Sequence, residues 1–178
     1  MTDAFNEMLR GWQNFYFMAG GAAAGLVGLM FVALSLGLSH VTTANREDVK
    51  LFATPSVFYF VSALLLACAM LIPTHTPPVL ALILFLGGGL GLGWTLHHVM
   101  GLFRVAKEHQ DFNVVDWLAQ IILPVASFAL ILMAAVGFIA DQWSLALGGL
   151  WLVTIFLMLS AIANTWSLVI WIIEQRKP

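Results

Sequence analysis

Charged residues divide the chain into four long uncharged segments, at 11–45, 51–103, 117–140 and 142–173. A transmembrane helix needs about 20 apolar residues to cross the hydrocarbon core of a bilayer. The first, third and fourth segments each fit one such helix. The second would be roughly 80 Å long as a single helix, so we expect it to turn back on itself.

The sequence PTHTPP, residues 73–78, marks the place of that turn. Proline is excluded from helix interiors but suits the first helical turn, so Pro73 follows one helix and Pro78 starts the next. The pattern predicts an all-α membrane protein with one transmembrane domain, residues 1–178. Its five helices are expected at about 12–40, 54–72, 78–103, 115–140 and 142–173.

Capping residues support several of these boundaries. Thr54 followed by Pro55 is typical of a helix start. Asn113 stands three residues before Asp116, as in a capping box. Asp141 is predicted to cap the fifth helix.

The composition agrees with a membrane protein. Charged residues make up 9% of the chain, against about a quarter in soluble domains. The lipid bilayer is therefore the expected environment, and a net charge of −2 gives no reason to expect a nucleic-acid partner.

The basic residues predict an orientation. Of seven Lys and Arg residues, only Arg10 lies on the side of the membrane that holds the N-terminus. Because Lys- and Arg-rich loops stay in the cytoplasm, we expect the N-terminus outside and the C-terminus in the cytoplasm.

Small residues are concentrated on the first and third helices. In membranes such residues permit close helix packing. On helix one we predict two adjoining packing faces, formed by Gly21, Gly25, Ala33 and Gly37 and by Ala24, Gly28 and Ser35. GGGLGLG on helix three contains two G-x-x-x-G pairs, Gly87/Gly91 and Gly89/Gly93. Close packing is the favoured interpretation, and an unwound segment is the alternative.

Apart from the capping residue Asp116 at the start of the fourth helix, no Asp, Glu, Lys or Arg falls within the predicted spans, which argues against an ion-coupled pump. Hydroxyl, amide and imidazole groups remain as candidates for lining a pore or polar cavity: Ser35, Ser39, His40, Asn164 and Ser167. Asn164 is equally consistent with a hydrogen bond between packed helices. Pro124 should free a backbone carbonyl and kink helix four.

Three further histidines, His97, His98 and His109, are candidates for pH sensing or metal binding. Adjacent residues on a helix point in different directions, and no carboxylate or cysteine stands at ligand spacing. Interfacial histidines without a ligand are therefore the favoured interpretation. No hydrolase, metalloprotease or P-loop motif occurs, so we expect no enzyme activity, no cofactor and no bound metal.

GGAAAGLVGLMFVALSL, residues 20–36, and NTWSLVI, residues 164–170, resemble a family of small, uncharacterised bacterial multi-pass inner-membrane proteins. The resemblance implies a bacterial inner-membrane location and carries no activity.

Two functions fit these features. The first is a homo-oligomeric channel or pore for an ion or small solute, which the small-residue faces and the absence of a soluble domain favour. The second is a membrane-embedded interaction or regulatory protein for another membrane complex, with no transport or catalysis of its own.

Overall fold

The computed structural model describes residues 2–37, 46–106 and 117–174, and the side chains of 3–36, 53–101 and 117–170. The described residues form five helices that are long and apolar enough to cross a membrane, which confirms the predicted fold class. They are α1 (Thr2–Gly37), α2 (Arg46–Leu71), α3 (Pro77–Ala106), α4 (Leu118–Ile139) and α5 (Trp143–Glu174).

The helices do not pack in chain order. α1 lies against α2, α2 against α5, α5 against α4, and α4 against α3. α1 and α3 are thus the two ends of this series. We call the end of the bundle with the α2–α3 and α4–α5 turns the hairpin end, and the opposite end the loop end.

The start of α1 differs from the prediction. The helix begins at Thr2 instead of near residue 12, although its first turns carry charges. Phe5 and Leu9 are fully buried, and the Phe5 ring lies 5.9 Å from Phe138 and 5.5 Å from Trp143 between centroids. Asp3 and Glu7 are exposed on the other face. An amphipathic pattern therefore extends the helix beyond the uncharged segment.

The predicted start of α2 is also wrong. The helix begins at Arg46, and Pro55 lies inside it, so Thr54 and Pro55 are not its cap. A helix does not have to end where the hydrocarbon ends, and the charged residues from Arg46 to Lys50 continue it. Asn113, Asp116 and their predicted capping box involve residues outside the described part of the chain. At α3 the prediction was close, because Pro77 and Pro78 occupy the first helical turn.

Asp141 ends α4 instead of capping α5. Its φ is +57°, and the Gln142 N–H donates to the Gly137 carbonyl at 2.9 Å. This is the bond of a Schellman motif, in which a left-handed residue follows the helix. The Gln142 carbonyl then accepts from the Ala146 N–H at 3.0 Å, which starts α5.

Glycines on α3 set its contact with α4. A Cβ at Gly88 would lie 2.8 Å from Ile131, and one at Gly91 would overlap the Phe128 ring. α3 is helical without interruption from Pro77 to Ala106, so the unwound alternative was wrong. The two glycines instead let the helix backbone approach large side chains of α4.

Replacing Asp141 with Gly should stabilise the protein by about 0.5–1 kcal/mol, because glycine adopts a positive φ without the Cβ penalty. Replacing it with Val should destabilise the protein. Reversible unfolding in bicelles measures both changes. Equal stability of the Gly and Val variants would contradict this description of the turn.

Gly91→Ala should destabilise the bundle by about 1–3 kcal/mol, because the added methyl displaces Phe128 from the α3–α4 contact. Gly89→Ala is the matched control, since nothing lies within 4 Å of a Cβ at that position. The control should unfold at or slightly above the wild-type midpoint. If both substitutions had the same effect, the two glycines would not differ in packing as described.

Candidate functional site

The first turn of α4 is π-helical, from Leu118 to Ile122, and Pro124 stands two residues after its end. In this register the Leu123 N–H donates to the Leu118 carbonyl. The next such bond would need an N–H on Pro124, which proline lacks. The Ala119 carbonyl therefore has no partner on its own helix. The Ser160 hydroxyl of α5 donates to it at 2.5 Å.

Pro124 thus acts much as the sequence suggested. The carbonyl it frees belongs to Ala119, and the distortion is a π-helical turn. Such turns are frequent at functional sites. Here the turn joins α4 to α5 through a hydrogen bond between buried groups.

A second polar feature lies in the interior of the bundle. Asn164 is 1% exposed, and Tyr59 and Thr95 are fully buried. Neither amide atom of Asn164 has a hydrogen-bond partner in the part of the chain that the structure describes. By contrast, Ser127 and Thr154 are buried but donate to carbonyls of their own helices at 2.7 and 3.1 Å.

Ring contacts join α2 to α3 beside Tyr59 and Thr95. The Trp94 ring lies 3.9 Å from that of Phe58 and 6.2 Å from that of Tyr59. The Thr95 hydroxyl lies beside that of Tyr59.

The predicted pore-lining residues separate into different environments. Asn164 faces the interior, whereas Ser35 is exposed on α1 and donates to the Phe31 carbonyl at 2.8 Å. Ser167 is half-buried and donates to the Ala163 carbonyl at 3.2 Å. Ser39 and His40 lie outside the described residues. The three described candidates therefore do not line one common path within a subunit.

The histidines do not converge either. His97 is exposed, while His98 is half-buried and stacks on Trp94 at 5.4 Å between ring centroids. His109 lies outside the described part of the chain. Among the residues described, no three His, Cys, Asp or Glu side chains are grouped as a metal site would require.

Most of the predicted packing glycines face outward. A Cβ at Gly21, Gly25 or Gly28 of α1 would meet nothing within 4 Å, and the same holds for Gly87, Gly89 and Gly93 of α3. Ala24 is exposed as well. Of the four glycines predicted on α3, only Gly91 contacts another helix. Gly20, which the prediction omitted, is the one that packs closely on Ala67 of α2.

The first predicted packing face of α1, formed by Gly21, Gly25, Ala33 and Gly37, is not a single face. Gly21 and Ala33 are twelve residues apart, which rotates them by about 120° at about 3.6 residues per turn. Ala33 is accordingly half-buried in the groove beside Phe60, whereas Gly21 is exposed. The surroundings of Gly37, the fourth residue of this predicted face, lie outside the described part of the structure.

Ser160 was missed in the sequence because a single serine in an apolar run usually donates to a carbonyl of its own helix. Only the spacing of Ala119 and Pro124 could have indicated an orphaned carbonyl. Nothing in the sequence shows that Ser160 is its partner.

Ser160→Ala should cost about 1–2 kcal/mol of unfolding free energy, since it leaves the Ala119 carbonyl without a donor in hydrocarbon. In a Pro124→Ala background, residue 124 regains its N–H, so the same change should cost much less. A double-mutant cycle on unfolding in bicelles measures this coupling. Additive effects would contradict the link between Pro124 and Ser160.

Comparisons of the chain with protein-family models, curated proteins and solved structures find no match in any of the three. The resemblance to small bacterial inner-membrane proteins therefore stays a prediction. What the fold and its spans establish is a multi-pass, five-helix membrane protein.

Proposed function

We propose that the protein is a homo-oligomeric channel or pore for an ion or small solute. In the proposed assembly, α1 of one subunit packs against α3 of the next. The observation that carries this proposal is the pair of outward glycine faces. Gly21, Gly25 and Gly28 lie on α1, and Gly89 and Gly93 lie on α3, all with open space around them.

A glycine that faces lipid is unfavourable, because its missing side chain makes no dispersion contacts with the lipid. Small residues are favourable where another helix comes close. Large exposed side chains border the small residues on both helices. Phe17 and Val32 flank the small stretch of α1, and Leu86 and Leu96 flank that of α3. Each face therefore has a shallow notch suited to a second helix.

α1 and α3 run in the same direction, from the hairpin end to the loop end, because the Phe5 ring near the start of α1 contacts Trp143 and α3 begins after the α2–α3 turn.

The positions of α1 and α3 favour a ring. They are the two ends of the series of helix contacts, and their faces are unlike. Contacts between unlike faces repeat head to tail and close into a ring when the rotation permits. A ring of subunits provides a central path that the bundle itself does not offer.

The pore is proposed to lie between subunits because the core of each subunit is filled by closely packed side chains from all five helices. Ser35 lies on the outward face that also holds Ala24 and Gly28, and it is the polar residue that this arrangement brings nearest to the subunit boundary. Asn164 is enclosed by its own subunit and is not part of that lining.

The loop end is proposed to face the cytoplasm, because six of the seven basic residues belong to the segments on that side and Lys- and Arg-rich loops stay in the cytoplasm. A bacterial inner membrane is the proposed location, on the resemblance of residues 20–36 and 164–170. The alternative function, an interaction protein for another membrane complex, would use the same outward faces for a different partner.

Gly28→Leu or Gly89→Leu should break the assembly and abolish solute flux in liposomes, because either leucine side chain fills the notch that the neighbouring subunit's helix would occupy. Gly87→Leu is the matched control. It lies on α3 near the depth of Gly89, but about 160° around the helix, and a Cβ there also meets nothing within 4 Å. Subunit stoichiometry in mild detergent and flux are measured on all three variants.

The wild type and Gly87→Leu should form a defined ring with flux. A wild-type protein that is monomeric and gives no flux would contradict the channel and favour the interaction protein. Assembly that survives both Gly28→Leu and Gly89→Leu would contradict the proposed interface.

A further inference from the structure

We propose that Asn164 binds an internal water molecule at the contact between α4 and α5, and that this water also bonds the Ser160 hydroxyl. The site lies inside one subunit, so the inference does not depend on the proposed assembly or on transport. It rests on a buried amide without a partner among the described residues and on a hydrogen bond one helical turn away from it.

The side chain of Asn164 is the first observation. Its amide offers two N–H donors and a carbonyl acceptor. The residue is 1% exposed, and neither its nitrogen nor its oxygen has a hydrogen-bond partner among the described residues. Leaving such a buried group unpaired costs more free energy than a typical hydrogen bond gains. We therefore expect a small molecule to complete its hydrogen bonds.

The hydrogen bond between Ser160 and Ala119 places Asn164 relative to α4. Ser160 donates to the Ala119 carbonyl at 2.5 Å, which brings this face of α5 against the π-helical turn of α4. Asn164 follows Ser160 by four residues, and side chains at this spacing on a helix are neighbours, about 5–6 Å apart at Cβ. Ser160 is completely buried as well. The unpaired amide therefore lies one turn from the hydrogen bond, on the side of the loop end.

The atoms of that hydrogen bond can accept from a water molecule. The Ser160 hydroxyl uses its single hydrogen on the Ala119 carbonyl, while its oxygen keeps acceptor lone pairs. Asn164 makes no direct hydrogen bond to either group. A water that accepts from the Asn164 amide and donates to the Ser160 oxygen would span this gap, as ordered waters do between polar groups that are too far apart to bond directly.

The charges near the contact favour water over an ion. Among the described side chains of α4 and α5, the charged one is Asp141, in the turn at the hairpin end. An ion beside Asn164 would therefore lack a compensating charge from these helices. An amide and a hydroxyl provide both donors and acceptors, which suits a molecule that is itself both donor and acceptor.

Close packing limits the space at the site. Ala161 and Leu168 of α5 are completely buried, and Ala119 is 7% exposed. Larger space lies on another face of α5, where Thr165 and Trp166, and not Asn164, line a groove of about 260 Å³. A buried water needs room for about one such molecule and two to four polar partners, so the site suits water.

The depth of Asn164 explains how water reaches the site. Counting from Trp143 at the hairpin end, Asn164 lies roughly 32 Å along α5 by helical rise. The hydrocarbon core of a bilayer is about 30 Å thick, so the amide is close to the aqueous phase at the loop end. Water can therefore exchange with the site without crossing the membrane, although the side chain itself is enclosed.

Magnetic resonance of the asparagine side chains in bicelles tests the proposal. The full-length protein is labelled with ¹⁵N-asparagine, and Asn164→Leu identifies the Asn164 amide signal by its loss. We expect cross-relaxation from water to that amide with the sign of a long-lived internal molecule. Asn14 is the control, because it is exposed on α1 and should show only short-lived hydration. Absence of the long-lived water signal at Asn164 would overturn the proposal.

A double-mutant cycle tests whether the water joins Asn164 to Ser160. Asn164→Leu and Ser160→Ala each remove one partner of the water, so their effects on the unfolding equilibrium constant should overlap. The double variant should unfold roughly two- to tenfold less than the product of the single effects. Asn164→Leu with Ser127→Ala is the control and should be multiplicative, since Ser127 donates to the Leu123 carbonyl of its own helix. Multiplicative effects in both pairs would overturn the shared water.

Titration of the labelled protein with NaCl and KCl separates water from an ion. Water cross-relaxation at Asn164, together with an amide signal that keeps its position across the titration, is the result that the proposal predicts. A saturable shift of the Asn164 signal with either salt would show a bound ion and would overturn the assignment of water.

Discussion

Close backbone contact is the constraint on which this bundle depends. Lipid tails are as apolar as leucine, so the hydrophobic effect does not press one helix against another. The helices must instead gain dispersion contacts and hydrogen bonds with each other. Small residues mark the places where this happens. Gly88 and Gly91 admit Ile131 and Phe128, Gly20 meets Ala67, and Gly137 meets Ala146.

The lipid environment also requires that buried polar groups find hydrogen-bond partners within the protein. The carbonyl freed by Pro124 is paired with Ser160 from the neighbouring helix, and Ser127 and Thr154 donate to carbonyls of their own helices. Asn164 departs from this pattern, because neither of its amide atoms has a partner among the described residues.

Much of the fold could be predicted from the sequence because lipid demands long uncharged segments and prolines cannot lie in most helix interiors. These two facts locate five helices and the turn after Leu71. Helix ends were less predictable. The Thr2–Arg10 extension depends on burial of Phe5 by α4 and α5, and the position of Asp141 depends on its backbone conformation.

The candidate sites were predicted only in part. Glycine content indicates close packing, but a pattern of glycines on α3 does not show that Gly88 and Gly91 face α4 while Gly89 and Gly93 face away. That depends on which helices are neighbours, and the series α1–α2–α5–α4–α3 is not encoded by local spacing. For the same reason the hydrogen bond from Ser160 to the Ala119 carbonyl could not be predicted.

The central claim is that unlike glycine faces of α1 and α3 meet between subunits. Disulfide cross-linking in native-like bilayers tests it most directly, with Gly28→Cys and Gly89→Cys in a Cys68→Ser background, since Cys68 is exposed. The chain with both cysteines should give a ladder of cross-linked species that ends at the ring size, and either cysteine alone should give none. Dimers from a single cysteine, or no cross-linking with both, would contradict the account.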